Sequence, residues 1–140
     1  MNILLAVDGS AYTKKMLAYL AAHDELLGTK HEYSVITVQA ALPARARAAL
    51  GKEVVDKYYA DQAEKVLAPV SKFLERKGLA PKRIVKIGPA GENIGKVADA
   101  GKYDLLVMGS HGHGALATLV MGSVTTQVLA NSRVPVLIVR

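Results

Sequence analysis

The stretch DLLVMGSHGHGALATLVMGS, residues 104–123, decides how the chain folds. It opens as an unbroken apolar run. A short continuous run bounded by turn residues reads as a strand buried on both faces of a parallel sheet. Four glycines follow within the fifteen residues 109–123, at Gly109, Gly112, Gly114 and Gly122. An ordinary helical pattern then resumes at Gly122-Ser123, with Val124, Val128 and Leu129 on one face. In open α/β sheets, ligands bind where a strand ends and the chain turns towards a helix.

Four further runs match the first: NILLAV at 2–7, YSVITVQ at 33–39, RIVKI at 83–87 and PVLIV at 135–139. The first, the fourth (DLLVMG) and the last are nearly continuously apolar, as expected of strands covered on both faces. Helical periodicity fills the gaps. Met16, Leu17, Leu20 and Leu27 mark one helix. Val55, Tyr59, Ala63, Val66, Leu67, Val70 and Leu74 recur at three and four and mark a long second one. Pro69 inside it predicts a kink or a break, and Gly78 its stop. Ile94, Val97 and Ala98 mark a third. The basic, Ala-rich stretch AALPARARAALG at 40–51 predicts a mobile connection that carries some helix.

Strands alternating with helices give an α/β fold with right-handed crossovers. Two strand ends carry unusual punctuation: Asp8-Gly9-Ser10 after the first and Gly109–Gly114 after the fourth. A Rossmann-like order 3-2-1-4-5 makes those two strands neighbours at the switch point, whereas a flavodoxin-like order puts the third strand there. The expectation is therefore a Rossmann-like open five-stranded parallel sheet of order 3-2-1-4-5, with helices on both faces, in one domain spanning 1–140.

Composition narrows the function classes. There are no cysteines, so a disulfide framework and cysteine-ligated metals are excluded. No metal site is expected from protein side chains. The opening apolar run is far too short for a signal segment or a membrane span, which makes the cytoplasm the default and a membrane partner unexpected. Lys and Arg number 18 against 12 acids, a formal charge of +6. These basic residues are scattered over helical polar faces, and aromatics make up only 5% of the chain, so no stacking platform for nucleic acid is legible. An anionic small ligand suits the balance as well.

The glycines at 109–122 have a physical reading. Phosphate oxygens are held by backbone N–H groups converging on one point, and glycine allows both the turns with positive φ and the close approach. The helix beginning at Gly122-Ser123 offers unpaired N–H groups and a partial positive charge, and Ser123 adds a hydroxyl. The competing reading is a set of turn glycines with an ordinary helix cap. No Walker sequence is present, and the loop follows the fourth strand, so it is not a dinucleotide fingerprint. HGHG is similar to the HIGH signature of nucleotidyl transferases only by coincidence, since that signature follows a first strand. Asp8 either accepts from a ribose hydroxyl or an adenine amino group, or caps its own turn with help from Ser10. His23 and His31 read as solvated bystanders. The apolar cluster Ala115, Leu116, Leu119, Val120 and Met121 reads as core cover or interface.

Gly109-x2-Gly112-x9-Gly122-Ser123 resembles the ATP-binding signature of the universal stress protein family. ILLAVDGS, the Gly88-Pro-Ala-Gly91…Ile94 stretch, DLLVMGSHG, GSVTTQVL and VPVLIVR follow the order of that family. The resemblance implies a Rossmann-like domain that binds ATP (or ADP or AMP), with or without Mg2+, often as a dimer, and acts in stress response or signalling through a partner the sequence does not name. It implies that Asp8 contacts adenine or ribose, that the backbone of Val38 meets adenine, that Gly109 lies by the ribose, and that Gly112, Gly122 and Ser123 hold phosphates. The candidate nucleotide-binding set is Ala6, Val7 and Asp8; Val38; Met108, Gly109, Ser110, His111, Gly112, His113 and Gly114; and Gly122, Ser123, Val124 and Thr125.

One departure stands out. Similar proteins often carry Arg where this chain has His113, and an imidazole is not permanently charged. That weakens the expectation of tight triphosphate binding and raises AMP or a cyclic nucleotide as ligands. No residue is expected to be catalytic. A slow nucleotide hydrolase or transferase is the rival from another class, with His111 and His113 the nearby acid–base candidates. A dimeric interaction protein that uses no nucleotide is the third. The strand from Val134 to Val139 is apolar on both faces and, at a sheet edge, would pair with its own copy.

Overall fold

The computed structural model describes residues 1–113 and 121–140. The elements follow in the order β1 (Asn2–Ala6), α1 (Ala11–Ala21), β2 (Glu32–Gln39), α2 (Ala44–Leu50), α3 (Lys52–Arg76), β3 (Lys82–Ile87), α4 (Ala90–Ala100), β4 (Leu105–Gly109), α5 (Ser123–Asn131) and β5 (Val136–Val139). The five strands form one parallel sheet in the order β3-β2-β1-β4-β5. The expected order is thus the observed one, and β1 and β4 pair directly, Ile3 opposite Leu105 and Ala6 opposite Met108.

Period-two alternation in the central strands divides the apolar residues between two cores. Ile3, Leu5 and Val7 join Val35 and Val107 on the face covered by α1 and α3, through Met16, Leu20, Leu67, Val70 and Leu74. Leu4 and Ala6 join Ile36, Leu106 and Met108 on the face covered by α4 and α5, through Ile94, Ala98 and Val128. Each fully buried leucine or isoleucine contributes about 1.5–3 kcal/mol. The exposed ion pairs Arg83–Glu64 and Lys96–Glu92 contribute about 0–1 kcal/mol each. The fold therefore rests on the two cores.

One expectation is narrowed and one corrected. Pro69 does not interrupt α3, which runs without a break from Lys52 to Arg76. Pro69 and Lys65 both lie on the exposed face, so the Lys65 carbonyl deprived of its N–H donor is open to water. The last strand is not buried on both faces: three of its four residues are half-buried. Among the described residues it has a strand neighbour, β4, on one side only. The connection at 40–51 does carry helix, α2, and none of its residues is buried.

Helix α4 lies against α5 by way of glycine. A Cβ on Gly91 would collide with the Gln127 side chain and stand 3.1 Å from the Val124 carbonyl; one on Gly95 would stand 3.0 Å from the Asn131 Cβ. The approach of the two helices is thus set by the absence of side chains at 91 and 95. It fixes where the first turns of both helices stand above the sheet.

Candidate functional site at the switch in strand order

Where β1 and β4 end, the chain departs to opposite faces and leaves a cavity of about 400 Å³. Its walls come from β1 (Ala6, with Val7 and Asp8 just beyond), β2 (Val38), β4 and its loop (Met108, Gly109, His111, Gly112, His113), and the start of α5 (Gly122, Ser123, Val124, Thr125). Thirteen of the sequence-derived candidates meet there. Ser110 does not: it is 1% exposed, its hydroxyl is 2.8 Å from His111 Nδ1, and its backbone N–H donates to the Val139 carbonyl. Gly114 and the apolar residues Ala115, Leu116, Leu119 and Val120 lie outside the described residues. Met121 is half-buried.

The cavity has two chemically distinct ends. Ala6, Val38, Met108, Ala90 and Ile94 make one apolar. Ala90 and Ile94 belong to the first turns of α4 and were absent from the sequence-derived set. Their signal was present, because a helix following β3 must also begin on the carboxyl side of the sheet. At the other end stand Gly112, His113, Gly122 and Ser123. Among the described residues, no side chain caps the start of α5. Its leading N–H groups and dipole are thus directed at that end of the cavity. Thr125 donates to the Gly109 carbonyl at 3.1 Å and ties the helix to the end of β4.

The glycines work differently from the expectation. None of Gly109, Gly112 and Gly122 has a positive φ, so the loop does not need them for left-handed turns. They are needed for space. A Cβ on Gly109 would stand 2.6 Å from the Tyr12 Cβ, so this glycine admits α1 against β4. A Cβ on Gly112 would stand 2.6 Å from Asp8 Oδ2. One on Gly122 would stand 3.3 Å from the His111 Cα and 3.4 Å from the Ser110 carbonyl oxygen, where Gly122 already donates a 2.7 Å hydrogen bond. Among the described residues, left-handed glycines near the site are Gly9, at φ +78° in the turn after β1, and Gly88, at φ +128° before α4.

Asp8 takes the turn-closing role open to it in the sequence. Its Oδ1 accepts from the Ser10 N–H at 2.9 Å, closing the turn, and from the Thr13 hydroxyl at 3.0 Å. Ser10 then caps α1, its hydroxyl accepting from the Tyr12 N–H. His113 reaches across the mouth, with Nε2 2.8 Å from the Asp8 carbonyl oxygen. A carbonyl only accepts, so Nε2 carries the hydrogen.

An open parallel sheet of this order, with a cavity at its topological switch point, defines a Rossmann-like α/β domain. The universal stress protein family model matches residues 1–140, and the chain belongs to that family. It is 35% identical over 139 residues to a universal stress protein of Synechocystis sp., covering 99% of this chain and 42% of that protein. It is 32% identical over 140 residues to one of Thermus aquaticus, covering 99% of this chain and 98% of that protein. It is also 36% identical over 80 residues to the universal stress protein MJ0577 of Methanocaldococcus jannaschii, covering 57% of this chain and 49% of that protein. A solved structure of MJ0577 superposes with a TM-score of 0.82 at 29% identity, over 99% of this chain and 94% of that one. Two of these three relatives are thus matched over less than half their length. Among the described residues, no helix is long and apolar enough to cross a membrane.

Proposed function

We propose that residues 1–140 form an adenine-nucleotide-binding regulatory domain of a cytoplasmic stress-response protein, with ATP, ADP or AMP as ligand, with or without Mg2+. The observation that carries this reading is the pairing of an apolar slot (Val38, Met108, Ile94) with an uncapped helix start at Gly122-Ser123 in one cavity. The slot suits a base. The helix start and the side-chain-free loop suit phosphates. Universal stress proteins of the same fold have been solved with cAMP, with AMP in Arabidopsis thaliana and with dAMP in Archaeoglobus fulgidus. Native mass spectrometry of freshly purified protein, followed by calorimetric titration with ATP, ADP, AMP and cAMP, tests the reading. Micromolar or tighter binding of at least one is expected, and binding of none overturns it.

The half-buried edge strand β5 carries the second part of the proposal, a homodimer. Among the described residues no strand pairs with its outer N–H and C=O row, which suits pairing with a second copy of Val136–Val139. Sedimentation equilibrium should give a dimer at micromolar concentration, and only monomer at that concentration counts against it.

A further inference from the structure

Thr13 is absent from the sequence-derived set, yet it lines the cavity and is 6% exposed. Its hydroxyl faces Asp8 twice. It accepts from the Asp8 N–H at 3.1 Å and donates to Asp8 Oδ1 at 3.0 Å. The Ser10 N–H donates to the same Oδ1 at 2.9 Å, and the Thr13 N–H donates to the Ser10 carbonyl at 3.1 Å. One carboxylate oxygen is therefore held by two donors inside a closed turn. The other, Oδ2, lies beside Gly112, at the place where any larger residue would put its Cβ.

We infer that Thr13 is a positioning residue: it locks the Asp8 carboxylate so that Oδ2 alone is presented to the ligand, and thereby selects ligands that carry a sugar hydroxyl beside their phosphate. The inference rests on the nucleotide reading above. Its chemistry follows from placement. Oδ2 adjoins Gly112, at the phosphate end of the cavity, while the apolar slot for a base is formed by Val38, Ala90 and Ile94. The part of a nucleotide between base and phosphates is its sugar, and an ionised carboxylate only accepts hydrogen bonds. A hydroxyl donating to a fixed carboxylate makes a charge-assisted bond, stronger than one to a neutral acceptor. A carboxylate free to rotate gives up most of that advantage, because it must be ordered on binding.

The experiment compares ATP with 2′,3′-dideoxyATP, which lacks both sugar hydroxyls, by calorimetry on the full chain. Wild type should prefer ATP by about tenfold or more. Thr13→Val keeps the shape and removes the hydroxyl. It should bring the ratio of the two affinities to within about twofold of one, while leaving dideoxyATP affinity within about twofold of wild type. Thr13→Ser restores the hydroxyl and should restore the preference. Gly112→Ala presses on Oδ2 from the opposite side and should also collapse the ratio, whatever it does to the absolute affinities, so the test survives if Thr13→Val fails to fold. Equal loss for both ligands in Thr13→Val marks a merely structural role and overturns the inference. A retained ratio in Thr13→Val or Gly112→Ala overturns it as well, as does Thr13→Ser behaving like valine. Equal binding of the two ligands by wild type sinks the inference and leaves nucleotide binding standing. Binding of neither removes both.

Discussion

Gly122→Val should weaken ATP binding at least about tenfold, which is about 1.4 kcal/mol. The backbone at Gly122 is extended, φ −74° and ψ 165°, and any residue adopts it. The cost lies in space. A Cβ there stands 3.3 Å from the His111 Cα and 3.4 Å from the Ser110 oxygen, and neither atom is a flexible side-chain end. Two further methyl groups must push the loop 110–112 off the start of α5 or project into the cavity. Ser123→Ala removes one hydroxyl and should cost less, about 0.5–1.5 kcal/mol. Calorimetric titration gives the affinities, and thermal melts show whether each variant is folded. If both variants are folded and bind ATP as wild type does, the phosphates are not held here, and the glycine serves packing alone.

A second large effect concerns stability. Gly91→Leu should destabilise the fold by about 2 kcal/mol, within the usual cost of overpacking a tight contact. The added Cβ meets the Gln127 side chain and the Val124 carbonyl, and the latter is fixed backbone. Helices α4 and α5 must then separate. Thermal denaturation should show a fall of roughly 5–10 °C for a chain of this size. Because Ala90 and Ile94 stand on one of these helices and Ser123 and Thr125 on the other, nucleotide affinity should fall in the same variant. An unchanged melting temperature would mean that the helices approach less closely than described.

The strands and their order were legible because burial on both faces leaves an unbroken apolar run, and because two punctuated strand ends had to be neighbours to make a common site. The same logic found most of the cavity wall. The failures have physical causes. Periodicity reports which residues are apolar, not how far each face is covered, so β5 read as buried on both faces although the expected order put it at an edge. Proline reads as a breaker because sequence does not tell whether the orphaned carbonyl at Lys65 will face water. Glycine spelled out a loop, but φ is not written in it: the three glycines at 109, 112 and 122 accommodate Tyr12, Asp8 and neighbouring backbone rather than left-handed turns. Thr13 escaped notice because its role depends on a hydrogen bond back to Asp8 across one turn. Asp-x-Ser followed by a threonine in the first helical turn was the available sign.

The hydrogen bond between His113 and the Asp8 carbonyl joins residues 105 positions apart. During translation, at about 5–20 residues per second, β1 is made on the order of ten seconds before the neighbour it pairs with on that side. Until β4 emerges, one edge of β1 has only a transient occupant or none, while β2 closes the other edge early. The cavity cannot exist on a nascent chain that stops short of α5. A ligand retained there would be a mark of a completed site, and at a hundred times its dissociation constant it would add about 2.7 kcal/mol against reopening.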